Sequence, residues 1–329
     1  MTSLVGKSVF VTGATGFIGS HLVRRLMREG AEVHYLIRHG SNAERIGDVA
    51  GKCQAWTGDL RDIGSLTQAL ARARPEIVFH VAGVTAGRQP GNEFEQIERA
   101  LDGNLKGTLN LLEAVRGADL PLERFVATGG LEEYGIGASP YDEAQRERPV
   151  SPYSASQAAT THFCQMLQRR LQLPIVTLRP SLTYGPAQSV DFFIPALIVR
   201  CLQGEDFEMT KGEQRRDFLY VEDVVDAYVR SALAAGVVGE VINIGSGVAA
   251  PVREIAMTVV RLSGARTRLR IGVIPERVTE ITDLVCKNDK AARLLGWQPV
   301  TSLADGLIRT IAWYRQHSAS TRSVAGGLS

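Results

Sequence analysis

Apolar positions along this chain follow two alternating patterns. Short runs rich in β-branched and aromatic residues occur at Val9-Phe10-Val11, Glu32–Ile37, Ala55–Asp59, Ile77–Val81, Arg124–Thr128 and Ile175–Arg179. Runs of that length and composition predict buried strands. Between them, segments at about 63–73, 95–117 and 153–171 space their apolar residues as a helix does. Strand and helix in strict alternation predict an α/β fold, a doubly wound parallel sheet, whose ligands lie beyond the carboxyl ends of the strands. After residue 180 the alternation loosens. Pro180, Pro186 and Pro195 punctuate a loop-rich stretch, followed by Phe218–Val221, a helix near 222–235, Val241–Ile244 and a helix near 252–263. The expected organisation is a larger α/β domain over 1–180, carrying the sheet, and a smaller C-terminal α/β lobe over 181–317. That lobe would supply most of a substrate pocket and return some elements to the sheet. Ser318–Ser329 is rich in Ser, Ala and Gly, a composition that predicts a disordered tail.

The first strand runs into Gly13, Gly16 and Gly19 at three-residue spacing, and Ile18, Leu22, Val23 and Leu26 then fall at helical spacing. Strand, glycine turn and helix form an arrangement suited to phosphate. Gly13 would allow the tight turn, Gly16 would let the backbone approach a pyrophosphate, and Gly19 would let the helix pack on the strand. The helix N-terminus would present N–H donors and the positive end of its dipole. The second strand ends in Arg38-His39, where a site for an unphosphorylated ribose usually places a carboxylate. A guanidinium cannot accept from ribose hydroxyls but can hold a 2′-phosphate bidentately. NADP(H) is therefore expected in preference to NAD(H).

Composition narrows the classes further. With 44% hydrophobic and 22% charged residues and a formal net charge of +2, the 329-residue chain gives no reason to expect a nucleic-acid or membrane-surface partner. No window reaches about 18 uninterrupted apolar residues, so no membrane-spanning helix is expected. MTSLVGKSVF runs directly into the first strand and leaves no room for a signal peptide. Cys53, Cys164, Cys201 and Cys286 are scattered with no ligand-like spacing, which predicts reduced thiols, no metal site and a cytoplasmic location.

Thr12-Gly13-Ala14-Thr15-Gly16-Phe17-Ile18-Gly19 is TGxxGxxG, and it resembles the fingerprint of the extended short-chain dehydrogenase/reductase family, the NAD-dependent epimerases and dehydratases. Most of those enzymes act on nucleotide-linked sugars. The resemblance runs from about residue 7 to residue 315 and implies a Rossmann-type fold. It implies that the dinucleotide is bound by Gly13, Thr15, Gly16, Phe17, Ile18 and Gly19, by Arg38 and His39, by Asp59 and Leu60 in Thr57-Gly58-Asp59-Leu60, by Ala82 and Gly83, and by Thr128, Tyr153, Gln157 and Pro180. Asp59 would meet the adenine amino group or cap the next helix. His80 reads as structural, and Asn104 as shaping the helix beside the site. The family pairs helices near 95–117 and 153–171 into a four-helix bundle. Leu105, Leu109, Leu112, Phe163 and Leu167 offer apolar faces there, so a homodimer is expected.

Three segments depart from the family pattern. Ser151-Pro152-Tyr153-Ser154-Ala155-Ser156-Gln157 looks like P-Y-x-x-S-K with Gln157 in place of Lys. Gln157 can bond a ribose hydroxyl but cannot favour tyrosinate as an ammonium would. Thr128-Gly129-Gly130-Leu131-Glu132-Glu133-Tyr134-Gly135 resembles S-S/T-x-E-x-Y-G with Gly130 at the Ser/Thr position. Thr128 is the nearest substitute, Glu132 keeps the dehydratase acid/base position, and the Glu-Glu-Tyr-Gly run resembles nucleotide-linked 4-keto-6-deoxyhexose reductases. Arg179-Pro180-Ser181-Leu182-Thr183-Tyr184-Gly185-Pro186 has Leu182 where an Asn commonly meets the sugar-nucleotide. Arg216, Arg277 and Glu280 stand in family-like segments, the arginines as expected clamps of a substrate diphosphate, and Leu295-Gly296-Trp297-Gln298-Pro299 matches a late family motif.

An oxidation-first epimerase or dehydratase needs its tyrosine as a base, and an unassisted tyrosine with a pKa of about 10 is a poor one near neutrality. The expected function is therefore an NADPH-dependent ketoreductase acting on a nucleotide-linked 4-keto-6-deoxy sugar or a related natural-product ketone. Tyr153 would supply the proton, with Thr128, Gln157 and Glu132 around it, and Glu132, Leu182, Arg216, Arg277 and Glu280 would meet substrate. Two alternatives stay open: a nucleotide-sugar epimerase or dehydratase with tightly held NAD(P), and an inactive dinucleotide-binding sensor or scaffold.

Overall fold

The computed structural model describes residues 3–85, 91–276 and 279–317. The tail 318–329 and Arg277 lie outside the described residues. Six strands come from the first half of the chain: β1 (Ser8–Thr12), β2 (Glu32–Ile37), β3 (Gln54–Thr57), β4 (Ile77–His80), β5 (Arg124–Thr128) and β6 (Ile175–Pro180). Beyond them lie β7 (Leu182–Tyr184), β8 (Phe218–Tyr220) and β9 (Val241–Ile244). One parallel seven-stranded sheet has the order β9-β6-β5-β4-β1-β2-β3. β9 returns from the second half of the chain to pair with β6, Ile244 opposite Pro180. The order reverses between β1 and β4, and their register sets Thr12 opposite His80, so both chains leave the sheet side by side. Such a switch point is where ligands of open α/β sheets bind.

The buried strands sort their side chains with period two. Val9 and Val11 of β1, Phe79 of β4 and Val126 of β5 join one apolar cluster with α1 (Phe17–Arg28), while Phe10, Val78 and Phe125 join the opposite one with α2 (Ile63–Ala73). Helices therefore cover both faces, as parallel sheets require. The first cluster continues unbroken into α6 (Phe193–Gln203), α7 (Val221–Leu233), α8 (Val252–Ser263), α9 (Asp289–Leu295) and α10 (Leu303–Gln316), reaching Leu197, Val259, Trp297 and Ile311.

Two expected elements take a different form. The third strand stops at Thr57, which leaves Asp59 in the following loop. The single helix expected near 95–117 is broken into α3 (Glu93–Ala100), a π-helical segment at Leu101–Lys106, and α4 (Gly107–Gly117). The cause is a tertiary contact. Asn104 accepts from Val84 N at 2.7 Å, and its amide donates to Val84 O and to Ser156 Oγ. A Cβ on Gly103 would lie 2.3 Å from Val84 Cγ2. The extra residue in the turn lets Asn104 reach the loop after β4, a common use of π-bulges. The long helix α5 (Pro152–Leu171) starts at the Ser151 cap, whose side chain accepts from Ser154 N. Of the apolar residues expected on an outer helical face, Leu112 is buried within the α2–sheet core instead, whereas Phe163 on α5 is exposed, as are Phe94 and Leu101.

Candidate functional site

The glycine turn is built by close approach. Gly13 has φ +75, and a Cβ there would lie 2.6 Å from Ala82 N, where β1 and β4 emerge together. A Cβ on Gly19 would lie 2.0 Å from Gly13 O, so only glycine lets α1 begin this close to the strand. No side chain caps α1 at Gly16, and the N–H groups of Phe17, Ile18 and Gly19 precede the first intrahelical bond, which Ser20 makes to Gly16. This cradle fits a pyrophosphate: three donors, a dipole end and no Cβ in the way. Thr15 belongs to the same turn.

His80 lies behind the turn and is fully structural. Thr108 Oγ1 donates to Asn104 O, so it accepts from His80 Nε2 at 2.8 Å, and Thr12 Oγ1 donates to His80 Nδ1 at 2.7 Å. That network assigns the neutral tautomer, and burial pushes the pKa down to about 4. Ala82 N approaches Thr12 Oγ1, and Gly83 passes over Asn104 Oδ1.

Arg38 and His39 are exposed at the end of β2 and line a cavity of about 510 Å³ with Gly58, Asp59, Arg61 and Ser65. Arg61 holds Asp59 through its guanidinium, at 2.8 and 3.1 Å, and through its own N–H, and this pulls the carboxyl down to about 2. The cap of α2 is Asp62, which accepts from Gly64 N, and not Asp59. Leu60 is fixed by Asn110, which donates to its carbonyl.

On α5, Tyr153 and Gln157 sit one turn apart. The Gln157 amide is buried and reaches toward Gly83. A Cβ on Gly130 would lie 3.1 Å from Glu132 Oε2 and 3.2 Å from Tyr153 Oη, so a carboxyl and a phenol close over the place where a Ser/Thr side chain would start. Burial pushes Tyr153 well above its ordinary pKa, the Glu132 carboxylate pushes the same way, and the contact with Gln157 acts weakly against them. Burial also raises Glu132, with Arg216 opposing. Thr128 is not positioned as a substitute hydroxyl. It donates to His80 O at 2.7 Å and therefore accepts from Tyr228 Oη at 2.7 Å, which leaves no proton for a ligand. Pro180 is buried at the end of β6. Leu182 packs against a small apolar cluster that contains Leu131, Tyr134 and Tyr141.

Arg216 and Glu280 are brought together, as partners of each other: the guanidinium binds the Glu280 carboxylate and also donates to Arg215 O. Trp297 is a strut, its indole N–H donating to Asp223 O at the start of α7.

Sequence reasoning missed the support beneath the Gly129–Tyr134 loop. Glu133 is wholly buried; it accepts from Gly130 N and Thr161 Oγ1 and pairs with Arg179 at 2.6 Å. Arg179 also holds Glu147 and stacks over Tyr134, whose hydroxyl donates to Asn243. A Cβ on Gly129 would lie 2.2 Å from Glu133 Oε1. The available signal was the Gly-Gly pair followed by an acid, since glycine leaves space that another side chain fills.

A glycine turn at the switch point, with a tyrosine-bearing helix closing the far end, defines a Rossmann-type dinucleotide-dependent enzyme of the extended short-chain dehydrogenase/reductase class. Residues 9–245 match the NAD dependent epimerase/dehydratase family, and the chain belongs to that family. It is 32% identical over 327 residues to a UDP-glucose 4-epimerase of Mycolicibacterium smegmatis, spanning 94% of this chain and 98% of that protein. Among solved structures, an epimerase of Methanothermobacter thermautotrophicus superposes with a TM-score of 0.89 at 28% identity, covering 97% of this chain and 95% of that one. A dTDP-glucose 4,6-dehydratase of Streptomyces venezuelae with NAD bound gives 0.84 at 27% identity, covering 95% and 98%. Among the described residues no helix is long and apolar enough to cross a membrane.

Proposed function

We propose that this protein is an NADPH-dependent ketoreductase acting on a nucleotide-linked 4-keto-6-deoxy sugar. One observation carries the direction of reaction: Tyr153 has a carboxyl on one side, across Gly130, and a neutral amide, Gln157, where an ammonium would lower its pKa. A phenol so placed keeps its proton at neutral pH and serves as an acid, not a base. When bound, a reduced nicotinamide would supply the hydride. Gly13 to Gly19 and the start of α1 bind its pyrophosphate, Tyr153 gives a proton to the ketone oxygen, and Gln157 bonds the ribose. Arg38 and His39 favour the 2′-phosphate of NADPH.

The sugar-nucleotide assignment is supported by the relatives, whose names specify UDP- and dTDP-glucose. Arg216, paired with Glu280, and Arg277 are the expected diphosphate contacts. Leu182, partly exposed, is apolar where an Asn commonly meets the sugar-nucleotide, which suits a deoxygenated sugar edge. The homodimer expected from the α3–α5 face is proposed on the exposure of Phe163, Phe94 and Leu101.

The test is consumption of NADPH with UDP-4-keto-6-deoxy-D-glucose, set against interconversion or dehydration of UDP-glucose by protein carrying a tightly bound dinucleotide. Ketone-dependent NADPH loss with no reaction of UDP-glucose is expected. The reverse pattern returns the protein to the epimerase/dehydratase reading.

A further inference from the structure

Tyr153, Gln157 and Thr161 are spaced four apart on α5, so they lie along one stripe of that helix. The loop after β5 meets the stripe at both ends. Near the start of α5 the Tyr153 hydroxyl sits against the edge of Gly130, where a Cβ would come within 3.2 Å of Tyr153 Oη. Two turns further on, Thr161 Oγ1 donates to Glu133 Oε1 at 3.2 Å. The same oxygen accepts from Gly130 N at 2.8 Å, and Glu133 N donates back to Gly130 O at 3.1 Å. One carboxylate oxygen thus joins the residue that Tyr153 rests on to the helix that carries Tyr153.

The other oxygen anchors this bridge to the sheet. Glu133 Oε2 accepts from Arg179 Nε at 2.8 Å and from Nη2 at 2.6 Å, and Arg179 lies on β6. Gly129 N donates to Leu178 O of the same strand at 2.7 Å. A Cβ on Gly129 would lie 2.2 Å from Glu133 Oε1 and 3.3 Å from Thr161 Oγ1, so glycine is what admits the carboxylate between loop and helix. Glu133 and Thr161 are both buried. Buried ion pairs add little net stability, and apolar residues of the same volume often serve the fold as well. A charge-assisted hydrogen bond adds something an apolar contact does not, a fixed length and direction.

We propose that Glu133 sets the place of the Tyr153 hydroxyl, by tying the loop after β5 to α5 through Gly130 N and Thr161 Oγ1. Glu133 and Thr161 touch no reacting atom; they are positioning residues that act through Gly130 and α5. The bridge fixes how far the loop stands from the helix, and Tyr153 Oη meets Gly130 across that same distance. A longer or looser bridge lets the phenol leave the line along which it gives its proton. The proposal rests on Tyr153 acting as the acid of a ketoreductase.

The test uses the full chain with NADPH and UDP-4-keto-6-deoxy-D-glucose. Thr161→Val removes the bridging hydroxyl and leaves the bonds of Glu133 to Gly130 and Arg179 in place. It should lower kcat by about tenfold, less than the roughly 10²-fold of a 1 Å misplacement, with both KM values unchanged. Its unfolding temperature should stay within about 4 °C of wild type, the shift expected for one hydrogen bond. Glu133→Gln keeps an acceptor for Gly130 N, and Glu147 still pairs Arg179 at 2.6 Å, so it should retain more turnover than Glu133→Ala. A second readout needs no substrate: carbon NMR of protein labelled at the tyrosine Cζ atoms, with the Tyr153 resonance assigned by Tyr153→Phe. In Thr161→Val that resonance should shift or broaden, while those of Tyr35 on β2 and Tyr314 on α10 stay in place. An unchanged kcat in Thr161→Val overturns the proposal whatever the resonance does. A fall in kcat that follows lost cofactor affinity and lost stability, with the Tyr153 resonance unmoved, overturns it too. A moved resonance in protein that reduces no ketone overturns the ketoreductase reading and upholds Glu133 and Thr161 as positioning residues.

Discussion

Arg179 and Glu133 form a wholly buried ion pair, 2.6 Å apart, under the Gly129–Gly130 peptide. Glu133 uses its other oxygen to hold Gly130 N and Thr161, so the charge pair and the loop that follows β5 are one unit. Glu147 completes the neutralisation of Arg179, and the two carboxylates keep the guanidinium firmly charged. Buried pairs are weak net stabilisers, but breaking one leaves an uncompensated charge in a low-dielectric site.

Arg179→Ala should therefore destabilise the protein by roughly 3–5 kcal/mol. The double variant Arg179→Met/Glu133→Leu should lose less than the single one, because it leaves no unpaired buried carboxylate at 133. Urea unfolding at neutral pH measures both. A single variant within 1 kcal/mol of wild type, about the range of an exposed pair, would contradict the burial argument.

Arg38 decides between cofactors in the proposed reading. Wild type should bind NADPH several-fold more tightly than NADH, and Arg38→Ala should erase most of that difference while leaving NADH affinity nearly unchanged. Loss of the bidentate phosphate contact is the cause. Fluorescence titration of each reduced cofactor provides the comparison, and equal affinities in wild type would show that the 510 Å³ cavity at Arg38 does not select phosphate.

Gln157→Lys puts an ammonium one helical turn from Tyr153. It should ease formation of tyrosinate and so improve alcohol oxidation near neutral pH, with a smaller change in ketone reduction. Tyr153→Phe should lower reduction by roughly 10²–10⁴-fold, as expected for loss of a general acid. The pH–rate profiles of both variants in both directions are the measurement. Undiminished reduction by Tyr153→Phe would move the proton source elsewhere.

His80 makes stability depend on acid. Its folded pKa of about 4 lies below the ordinary value of 6.5, so between those values the unfolded chain binds more protons than the folded one. Stability is complete above about 6.5 and is lost as pH falls toward 4. A difference of that size corresponds to roughly 3 kcal/mol. Burial lowers His21 and His34 in the same sense, so the comparison is between wild type and His80→Gln. Stability of the variant should fall less steeply over this window in chemical unfolding; parallel slopes would show that His80 does not carry the effect.

The chain by itself determined whatever depends on neighbours in sequence. Strand runs, the Gly13–Gly16–Gly19 turn, the helix near 153–171 and the one-turn spacing of Tyr153 and Gln157 are all local periods or local conformations, and the structure repeats them to within a residue or two. Only tertiary structure could decide which side chains share space. Thr128 looked available until Tyr228, one hundred residues away, used its acceptor. Asp59 looked like a cap until the strand ended two residues short and Asp62 took that place. The helix near 95–117 looked continuous until Asn104 was drawn to Val84. Gly130 read as a lost hydroxyl, and only packing revealed that Glu132 and Tyr153 crowd the place where that side chain would start. The physical reason is the same in each case: a hydrogen bond or a shared volume between distant residues depends on where the backbone brings them, and no period in the sequence encodes that distance.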